Sequence, residues 1–535
     1  MPSDLVFALV VSLLLMLFFN QRFWQQTVAS MWHGSLASSG FLVSVALLVL
    51  YVHAVILLVM PGRRAMQAAA SLLFVLAAIG SYYIDVLGAV MNREMMQNVF
   101  QTDTAEARDL INGRLLTRVA LGLLPAILVW RVRLPVLGLK RQLWHRGLFL
   151  VGGLVVVLLS ALATSSSYAV YLREHKPVRS YLNPASILWS TGAYLAQTDV
   201  RAGPLIFPGG KTTRVLAPGK RPLVVFLVVG ETARAANFQL GGYARHTNPR
   251  LQAVPDLIYY PKASACGTST AVSLPCIFSH LGRQKFDSAG KMNYANLVDM
   301  LASADIDVEW RDNNSGCKGV CARVPVLDYF RDGSTWRTPQ QCSHAHCYDE
   351  VMLLDLPERL RNLQRDTVIV FHQNGSHGPA YGERYPEQFE VFKPACHSAQ
   401  IDSCTREELV NAYDNSILYT DYNLAQQIDL LRQAADQVDG ALLFASDHGE
   451  SLGEQGVYLH GMPYSFAPAQ QKEVPFMLWM SPGIEKRLGL AAGCLSQHRE
   501  EAVSHDNMFH TVLGLMAASN GVYDKRLDLL SPCRK

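Results

Sequence analysis

The run Leu223–Thr232, LVVFLVVGET, decides the fold of the second half of the chain. Its seven consecutive apolar residues, four of them valine, favour a strand buried on both faces, as in a parallel sheet covered by helices. Gly230 then lets the chain turn, which leaves Glu231 just beyond the carboxyl end of the strand. Ligand sites of parallel α/β sheets lie beyond these carboxyl ends. The run therefore predicts an α/β domain with Glu231 in its site.

Short β-rich runs alternate with helical stretches through the rest of this half. Such alternation indicates a mostly parallel sheet with helices on both faces. The predicted strands are 223–229, 256–260, 305–310, 366–371, 441–445 and 475–480, and the predicted helices are 297–303, 348–364 and 406–435.

Polar residues and glycine follow two more of the predicted strands. These are SDHGE at 446–450 and HQNGSHG at 372–378, and His460 comes 12 residues after His448. Carboxylate and imidazole groups together suit Zn²⁺. Each histidine taken alone could be structural, but several such clusters at the strand ends of one sheet favour a metal or phosphate site.

The segment Ser264–Cys276, SACGTSTAVSLPC, contains the candidate nucleophiles. Two cysteines enclose the hydroxyl side chains of Thr268, Ser269, Thr270 and Ser273. A hydroxyl on such a loop can act as a nucleophile if a neighbouring group lowers its pKa. Serine and threonine are also common in turns, so a disulfide-tied surface loop is the alternative.

All ten cysteines lie between Cys266 and Cys533. An even number of closely spaced cysteines indicates disulfides formed in an oxidising compartment. A zinc–cysteine site is the alternative, although the spacing lacks two matched C-x-x-C knuckles. The pairs suggested by spacing are Cys266–Cys276, Cys317–Cys321, Cys342–Cys347 and Cys396–Cys404, with Cys494–Cys533 remaining.

The first 171 residues hold most of the long apolar runs. Three of the five runs reach the roughly 20 residues with which a helix crosses a bilayer. The first run is short, but it carries Asp4 where a signal peptide would be basic, so we predict a span extended through Phe23 and Trp24. The five predicted spans are Leu5–Phe19, Phe41–Met60, Ala68–Met91, Leu115–Trp130 and Leu148–Tyr171.

Basic residues in the short loops predict the orientation of these spans. Arg63 and Arg64 lie between the second and third spans, and five lysines and arginines from Arg131 to Arg146 lie between the fourth and fifth. Both loops are expected in the cytoplasm, which leaves the C-terminal half outside, in agreement with its cysteines. The predicted domains are a transmembrane domain at 1–171, an interfacial helix and linker at 172–221, and a catalytic domain at 222–535.

Asn98, Thr102 and Glu106 lie four residues apart in the loop between the third and fourth spans. On a helix this spacing puts them on one face, where they could hold a lipid headgroup with Glu106 facing an ammonium. A solvated helix face is the alternative.

The formal net charge of +3 is small for 535 residues, and no basic cluster occurs in the soluble half. We therefore expect no nucleic-acid partner.

Five motifs occur in order along the chain: VVGETAR at 228–234, SACGTSTAVSLPC at 264–276, RDNNSGCKGVC at 311–321, GSHGP at 375–379 and SDHGESLGEQGVYLHG at 446–461. They resemble the motifs of the lipid A phosphoethanolamine transferases, a family that includes the mobile colistin-resistance enzymes. The resemblance covers the whole chain. It implies five spans before a periplasmic domain of the alkaline-phosphatase/sulfatase type, and it supports the five disulfides suggested above.

The resemblance also implies residue roles. Thr270 would be the nucleophile, and one tightly bound Zn²⁺ would be held by Glu231, Thr270, Asp447 and His448. His377 and His460 would bind the transferred phosphate group or a second zinc ion. Further substrate contacts would come from Ser315 and Lys318, and from the family's ethanolamine pocket, which Asn98, Thr102 and Glu106 match.

The expected reaction transfers phosphoethanolamine from phosphatidylethanolamine to a lipid A phosphate through a phosphothreonine. This would lower negative surface charge and give resistance to polymyxins. The expected enzyme is a monomer in the bacterial inner membrane with its catalytic domain in the periplasm. The alternatives are a glycerol-phosphate polymerising enzyme, a phosphatase, a non-enzymatic scaffold, or a sulfatase, whose formylglycine Thr270 cannot supply.

Overall fold

A computed structural model describes residues 4–102, 107–108, 110–134, 138–196, 204–215, 219, 221–286, 293–329, 341–342 and 347–535. Residue contacts divide the chain into two compact units, one of residues 1–96 and 111–196 and the other of residues 97–110 and 197–535. The domain boundaries expected at 171 and 221 stay predictions.

The first unit is helical. Four of its described helices are long and apolar enough to cross a membrane, and a fifth span results if a bent pair of helices, α1 and α2, counts as one. The helices up to residue 196 are α1 (Asp4–Phe18), α2 (Gln21–Met31), α3 (Leu36–Leu58), α4 (Gly62–Ser81), α5 (Arg93–Gln101), α6 (Gly113–Leu128), α7 (Leu139–Ala163), α8 (Ser165–Glu174) and α9 (Ala185–Leu195).

The predicted first span, extended through Phe23 and Trp24, corresponds to this bent pair. Helices α1 and α2 meet at an angle of 72°. The buried Asn20 stands at the break, where its Nδ2 donates to the Asn183 carbonyl at 2.7 Å and its Oδ1 accepts from the Asn183 N–H at 2.8 Å. Two buried amides thus satisfy each other at the point where the helix is interrupted.

Two other predicted spans end earlier than expected. The prediction Ala68–Met91 overruns α4, which ends at Ser81 and continues as a π-helical turn at Tyr82–Val86. The prediction Leu148–Tyr171 crosses a break at Thr164, between α7 and α8. The Thr164 hydroxyl donates to the Ser160 carbonyl at 2.9 Å, a local bond of the kind that bends helices.

The second unit is an α/β domain built on one seven-stranded sheet, as predicted. Its strand order is β3-β11-β8-β2-β7-β5-β6, and of these strands only β11 runs against the others. The strands of this unit are β1 (Thr213–Arg214), β2 (Leu223–Gly230), β3 (Ile258–Tyr259), β4 (Ala263–Ser264), β5 (Asp307–Asp312), β6 (Val326–Asp328), β7 (Thr367–His372), β8 (Asp439–Ser446), β9 (Ser451–Leu452), β10 (Tyr458–Leu459), β11 (Phe476–Met480), β12 (Val503–Ser504) and β13 (Ala518–Ser519).

Both faces of the sheet are covered. Along β2, Val225 and Leu227 pack into one hydrophobic core and Phe226 and Val228 into another, because successive side chains point to opposite faces. The helices of this unit after residue 197 are α10 (Pro249–Gln252), α11 (Thr270–Ile277), α12 (Gly282–Phe286), α13 (Leu297–Ser303), α14 (Leu356–Arg361), α15 (Arg406–Gln433), α16 (Ala469–Lys472), α17 (Pro482–Arg487), α18 (Cys494–Gln497) and α19 (His505–Leu515).

The prediction of one continuous helix at 348–364 is wrong. The chain forms a 3₁₀ turn at Asp349–Leu353 and then the short helix α14. Pro357 lies in the first turn of α14, where a proline without an N–H is tolerated, whereas within one long helix it would interrupt the hydrogen bonds.

Candidate active site and metal centre

The carboxyl ends of β2 and β8 bring three candidate ligands together. The two strands are parallel neighbours with Gly230 opposite Ser446, so Glu231 follows one strand where Asp447 and His448 follow the other. His448 Nε2 lies 3.4 Å from Glu231 Oε1 and 3.3 Å from Asp447 Oδ2. The ligand atoms of all three residues lie within 4.8 Å of one another, close enough to share one metal ion.

The chemistry of this cluster fits a divalent cation. Glu231 Oε1 and Asp447 Oδ2 are buried oxygens without a hydrogen-bond partner among the described residues, which is costly unless a cation binds them. Burial, and next the Glu231 carboxylate, raise the pKa of Asp447 well above its ordinary value. A bound cation would offset the negative charges of the two buried carboxylates and so stabilise their charged forms.

His448 is held in the tautomer that binds metals. Its Nδ1 lies 2.9 Å from the Gly449 carbonyl and can only donate to it, so the neutral ring presents the Nε2 lone pair to the carboxylates. Burial lowers the pKa of His448 to about 3, which keeps the ring neutral near pH 7. An N,O ligand set of this kind suits zinc.

Thr270 adds its hydroxyl to the cluster. Its Oγ1 donates to Glu231 Oε2 at 3.0 Å and lies 3.3 Å from His448 Nε2. Thr270 is the first residue of α11, where unpaired backbone N–H groups and the helix dipole favour negative charge. The Cys266–Cys276 disulfide spans this loop and helix.

Six of the seven predicted substrate residues line one pocket of the second unit together with Thr270. The seventh, Glu106, lies outside the described residues. The six are Asn98, Thr102, Ser315, Lys318, His377 and His460. Thr102 directly follows the last residue of α5, and its N–H donates to the Asn98 carbonyl at 2.8 Å.

Two basic side chains of the pocket, Lys318 and His460, contact neighbouring polar groups. Lys318 Nζ donates to Ser315 Oγ at 2.9 Å. His460 Nδ1 lies 3.4 Å from the Glu450 carboxylate. Burial disfavours the charged form of His460, but Glu450 outweighs this cost and raises its pKa above the ordinary value. The ring of His377 lies 5.6 Å from that of His460, between centroids. The pocket can therefore receive an anion.

Glycine is required where the strand-end loops meet. Gly375 has φ +52°, and a Cβ there would lie 2.7 Å from the Glu231 carbonyl oxygen. A Cβ on Gly449 would lie 2.0 Å from the Gln470 carbonyl oxygen. Both glycines follow predicted strand ends, and their lack of a side chain lets neighbouring backbones approach the ligands.

Asn314 bonds to a candidate metal ligand, Glu231, and was not among the predicted site residues. Its Nδ2 donates to Glu231 Oε2 at 2.9 Å and to the Gln373 carbonyl at 2.8 Å. It thereby fixes the oxygen that also accepts the Thr270 hydroxyl. Asn314 belongs to the RDNNSGCKGVC motif, from which only Ser315 and Lys318 were selected.

We expect Asn314→Ala to weaken zinc binding by about 10–100-fold, the usual effect of losing a bond that orients a metal ligand. Competition with a chromophoric chelator would measure the dissociation constant. Asn313→Ala is the matched control, since Asn313 is as buried but bonds to Asp349 and the Cys347 carbonyl. Equal losses in both variants would show a general structural defect.

The ten cysteines form five disulfides, in the pairs suggested by their spacing. None is free. Two other clusters of potential metal ligands, around Cys494–His498–Cys533 and Cys266–Cys276–Asp506, include these oxidised sulfurs. A disulfide offers no thiolate, so the zinc–cysteine alternative is wrong.

The chain is similar to known proteins over both halves. Residues 224–518 match the sulfatase family model, and residues 48–198 match the family model described as phosphoethanolamine transferase EptA/EptB. It is 38% identical to the phosphoethanolamine transferase EptA of Escherichia coli K12, covering 87% of this chain and 85% of that protein. It is 39% identical to the phosphatidylethanolamine transferase Mcr-2 of Escherichia coli, covering 82% and 83%.

The structural comparison agrees with the sequence comparison. The structure of the integral membrane lipooligosaccharide phosphoethanolamine transferase A (EptA) from Neisseria meningitidis superposes with a TM-score of 0.94 at 33% identity, covering 99% of this chain and 98% of that one. Together with the strand-end cluster around Thr270, these similarities show that the chain belongs to the EptA/EptB family of phosphoethanolamine transferases.

Proposed function

We propose that this protein transfers phosphoethanolamine from phosphatidylethanolamine to phosphate groups of lipid A, through a phosphothreonine at Thr270. The observation that carries the proposal is the position of Thr270 Oγ1, 3.0 Å from Glu231 Oε2 and 3.3 Å from His448 Nε2, in a pocket that Lys318, His377 and His460 also line. The family, and the names of the related transferases, support the same chemistry.

The nucleophile is prepared by its neighbours. When bound by Glu231, Thr270, Asp447 and His448, zinc would lower the pKa of the threonine hydroxyl and offset the charge of the phosphoryl oxygens. The Thr270 hydroxyl donates to Glu231 Oε2 at 3.0 Å. Asn314 holds that oxygen in place from the other side.

The pocket also suits the phosphoryl group. Phosphoryl transfer depends mainly on position and on groups that neutralise the non-bridging oxygens. Lys318 supplies an ammonium, and His460 is biased towards its charged form by Glu450. His377 lines the same pocket and would bind the phosphate or take part in a second zinc site.

The reaction has two balanced steps. In the first, Thr270 Oγ1 bonds to the phosphorus of phosphatidylethanolamine, the bond to the glycerol oxygen breaks, and the threonine proton is transferred to that oxygen to release diacylglycerol. In the second, a protonated lipid A phosphate oxygen bonds to the same phosphorus, the bond to Thr270 Oγ1 breaks, and Thr270 Oγ1 takes up the proton of the lipid A phosphate. Threonine is regenerated, and lipid A carries the added ethanolamine ammonium.

Asn98 and Thr102 are proposed to contact the ethanolamine end, together with Glu106. Both described residues line the pocket beside Thr270, and Gln97 Nε2 donates to the Ala271 carbonyl at 3.2 Å. The segment is thus tied to the nucleophile helix. Its amide and hydroxyl groups suit a polar headgroup.

The protein is proposed to act in the bacterial inner membrane with its catalytic domain in the periplasm. Basic loops between the spans, and five disulfides in the second unit, support this orientation. One chain supplies all the described pocket residues, so a monomer suffices. Adding ammonium groups to lipid A would weaken binding of cationic peptides such as polymyxins.

Expression in a bacterium that lacks such a transferase tests the proposal. We expect mass spectra of lipid A to gain the phosphoethanolamine increment, and the strain to become more resistant to colistin. Free phosphoethanolamine without modified lipid A would instead indicate a hydrolase. Glycerol-phosphate products would indicate the polymerising relatives.

A further inference from the structure

His505 lies between the nucleophile loop and the metal-binding strand, although no motif of the sequence includes it. It is the first residue of α19 and is 1% exposed. The two-residue strand β12 precedes it and pairs in parallel with β4, with Ser504 opposite Ser264. This pairing brings His505 beside Cys266, from which it is separated by 239 residues.

The imidazole bonds to both sides at once. The Cys266 backbone N–H donates to His505 Nδ1 at 3.0 Å, and His505 Nε2 lies 2.8 Å from the Ser446 carbonyl oxygen. Because Nδ1 accepts, the proton of the neutral ring is on Nε2 and is donated to that carbonyl. Burial, opposed by the bond to Ser446, lowers the pKa of His505 to about 4, which agrees with a neutral ring.

These two partners are the starting points of the two halves of the site. Cys266 begins the disulfide-closed segment 266–276, which contains Thr270, and Ser446 immediately precedes Asp447 and His448. The loop lies outside the central sheet. Its other backbone bonds, from the Ala265 N–H to the Lys472 carbonyl and from the Gly461 N–H to the Thr268 carbonyl, go to segments other than β8, so they do not directly set its distance from the end of β8 that carries the metal ligands. A rigid five-membered ring with opposed nitrogens can fix that distance.

We propose that His505 is a positioning residue that sets the distance between the Thr270 loop and the Asp447–His448 ligands through these two hydrogen bonds. One bond orients the nucleophile, and the other orients the strand end that carries the metal ligands. The inference rests on the proposed function for the role of Thr270, whereas the effect on metal affinity is independent of it.

Two substitutions separate the two bonds. His505→Asn can keep an acceptor at the position of Nδ1 for the Cys266 N–H, but it has no donor that reaches the Ser446 carbonyl. His505→Gln can keep a donor at the position of Nε2 but loses the acceptor. His505→Phe keeps a ring and loses both bonds. His510→Asn is the control, since His510 is on the same helix, is 3% exposed, and accepts from the Asp524 N–H instead.

The full-length protein in detergent would be assayed in two ways. Competition with a chelator gives the zinc dissociation constant, and intact-protein mass spectrometry gives the rate of phosphothreonine formation with phosphatidylethanolamine. We expect His505→Asn to weaken zinc binding about 10-fold. We expect His505→Gln to slow phosphothreonine formation by about 10–100-fold, as for a misplaced reacting group. Zinc affinity should stay within about threefold, because Glu231, Asp447 and His448 still bind the ion when the Thr270 hydroxyl is displaced.

The crossed pattern distinguishes positioning from general stabilisation. His505→Phe should lose on both measurements, and His510→Asn on neither. Equal losses in the Asn and Gln variants, or unchanged values in all three, would overturn the inference. If the unmodified protein forms no phosphothreonine, the proposed function fails, while the zinc measurement still tests the bond to Ser446. Zinc affinity and the rate of phosphothreonine formation are both measured per folded molecule. The Asn and Gln variants can therefore be compared even if one of them folds in lower yield.

Discussion

Thr270→Ala is expected to abolish phosphoethanolamine transfer to lipid A, with a loss of about 10⁴-fold or more, as when other covalent nucleophiles are removed. Alanine keeps the helix start but has no oxygen to form the bond to phosphorus. The Thr270 hydroxyl is the group held between Glu231 Oε2 and His448 Nε2. Mass spectra of lipid A from cells expressing the variant would measure the loss.

Thr270→Ser is the matched control. Serine retains the hydroxyl but lacks the methyl group that restricts its rotamers, so we expect reduced but detectable transfer. Mass spectrometry of the protein should find phosphoethanolamine on residue 270 in the unmodified protein and in the serine variant. Unchanged lipid A modification in Thr270→Ala would refute the nucleophile assignment.

Removal of metal is expected to have a comparable effect. Dialysis against a strong chelator should eliminate transfer, and added zinc should restore it best. The Glu231 and Asp447 carboxylates are both buried with His448, and each has an oxygen without a hydrogen-bond partner among the described residues. Zinc should therefore also stabilise the fold, by about 2.7 kcal/mol at a concentration 100 times its dissociation constant.

Asp447→Asn and His498→Ala provide the paired test of this metal centre. Asp447→Asn removes one ligand charge and should weaken zinc binding and transfer together. His498 belongs to a cluster whose two cysteines are joined in a disulfide, so His498→Ala should change neither. Restoration by manganese but not by zinc would favour the glycerol-phosphate relatives instead.

The sequence predicted those parts of the site that depend on local pattern. A run of apolar residues followed by polar residues and glycine marks a strand end, and this pattern selected the segments that contain Glu231, Asp447 and His448. The strands of the central sheet follow from the same apolar runs. The loop between Cys266 and Cys276 offered four hydroxyl residues, and the choice of Thr270 came from the family resemblance, because spacing alone does not tell which hydroxyl meets the ligands.

Contacts between distant segments could not be predicted in this way. His505 reaches Cys266 through the pairing of β4 with β12, and strands of two residues have no periodicity that a sequence would reveal. The bend after α1 depends on Asn20 meeting Asn183, which is 163 residues away. Asn314 stands in a recognised motif, but its role depends on the approach of Glu231 from another strand.

The connectivity of the disulfides has a consequence for how the protein matures. Each cysteine is bonded to its neighbour along the chain, first to second and third to fourth, through to the ninth and tenth. Four of the bonds close segments of 4, 10, 5 and 8 residues. An oxidase that acts on the chain in order of synthesis can complete each native bond before the next pair of cysteines is available. We therefore expect formation of the five bonds to need thiol oxidation but no later exchange of partners.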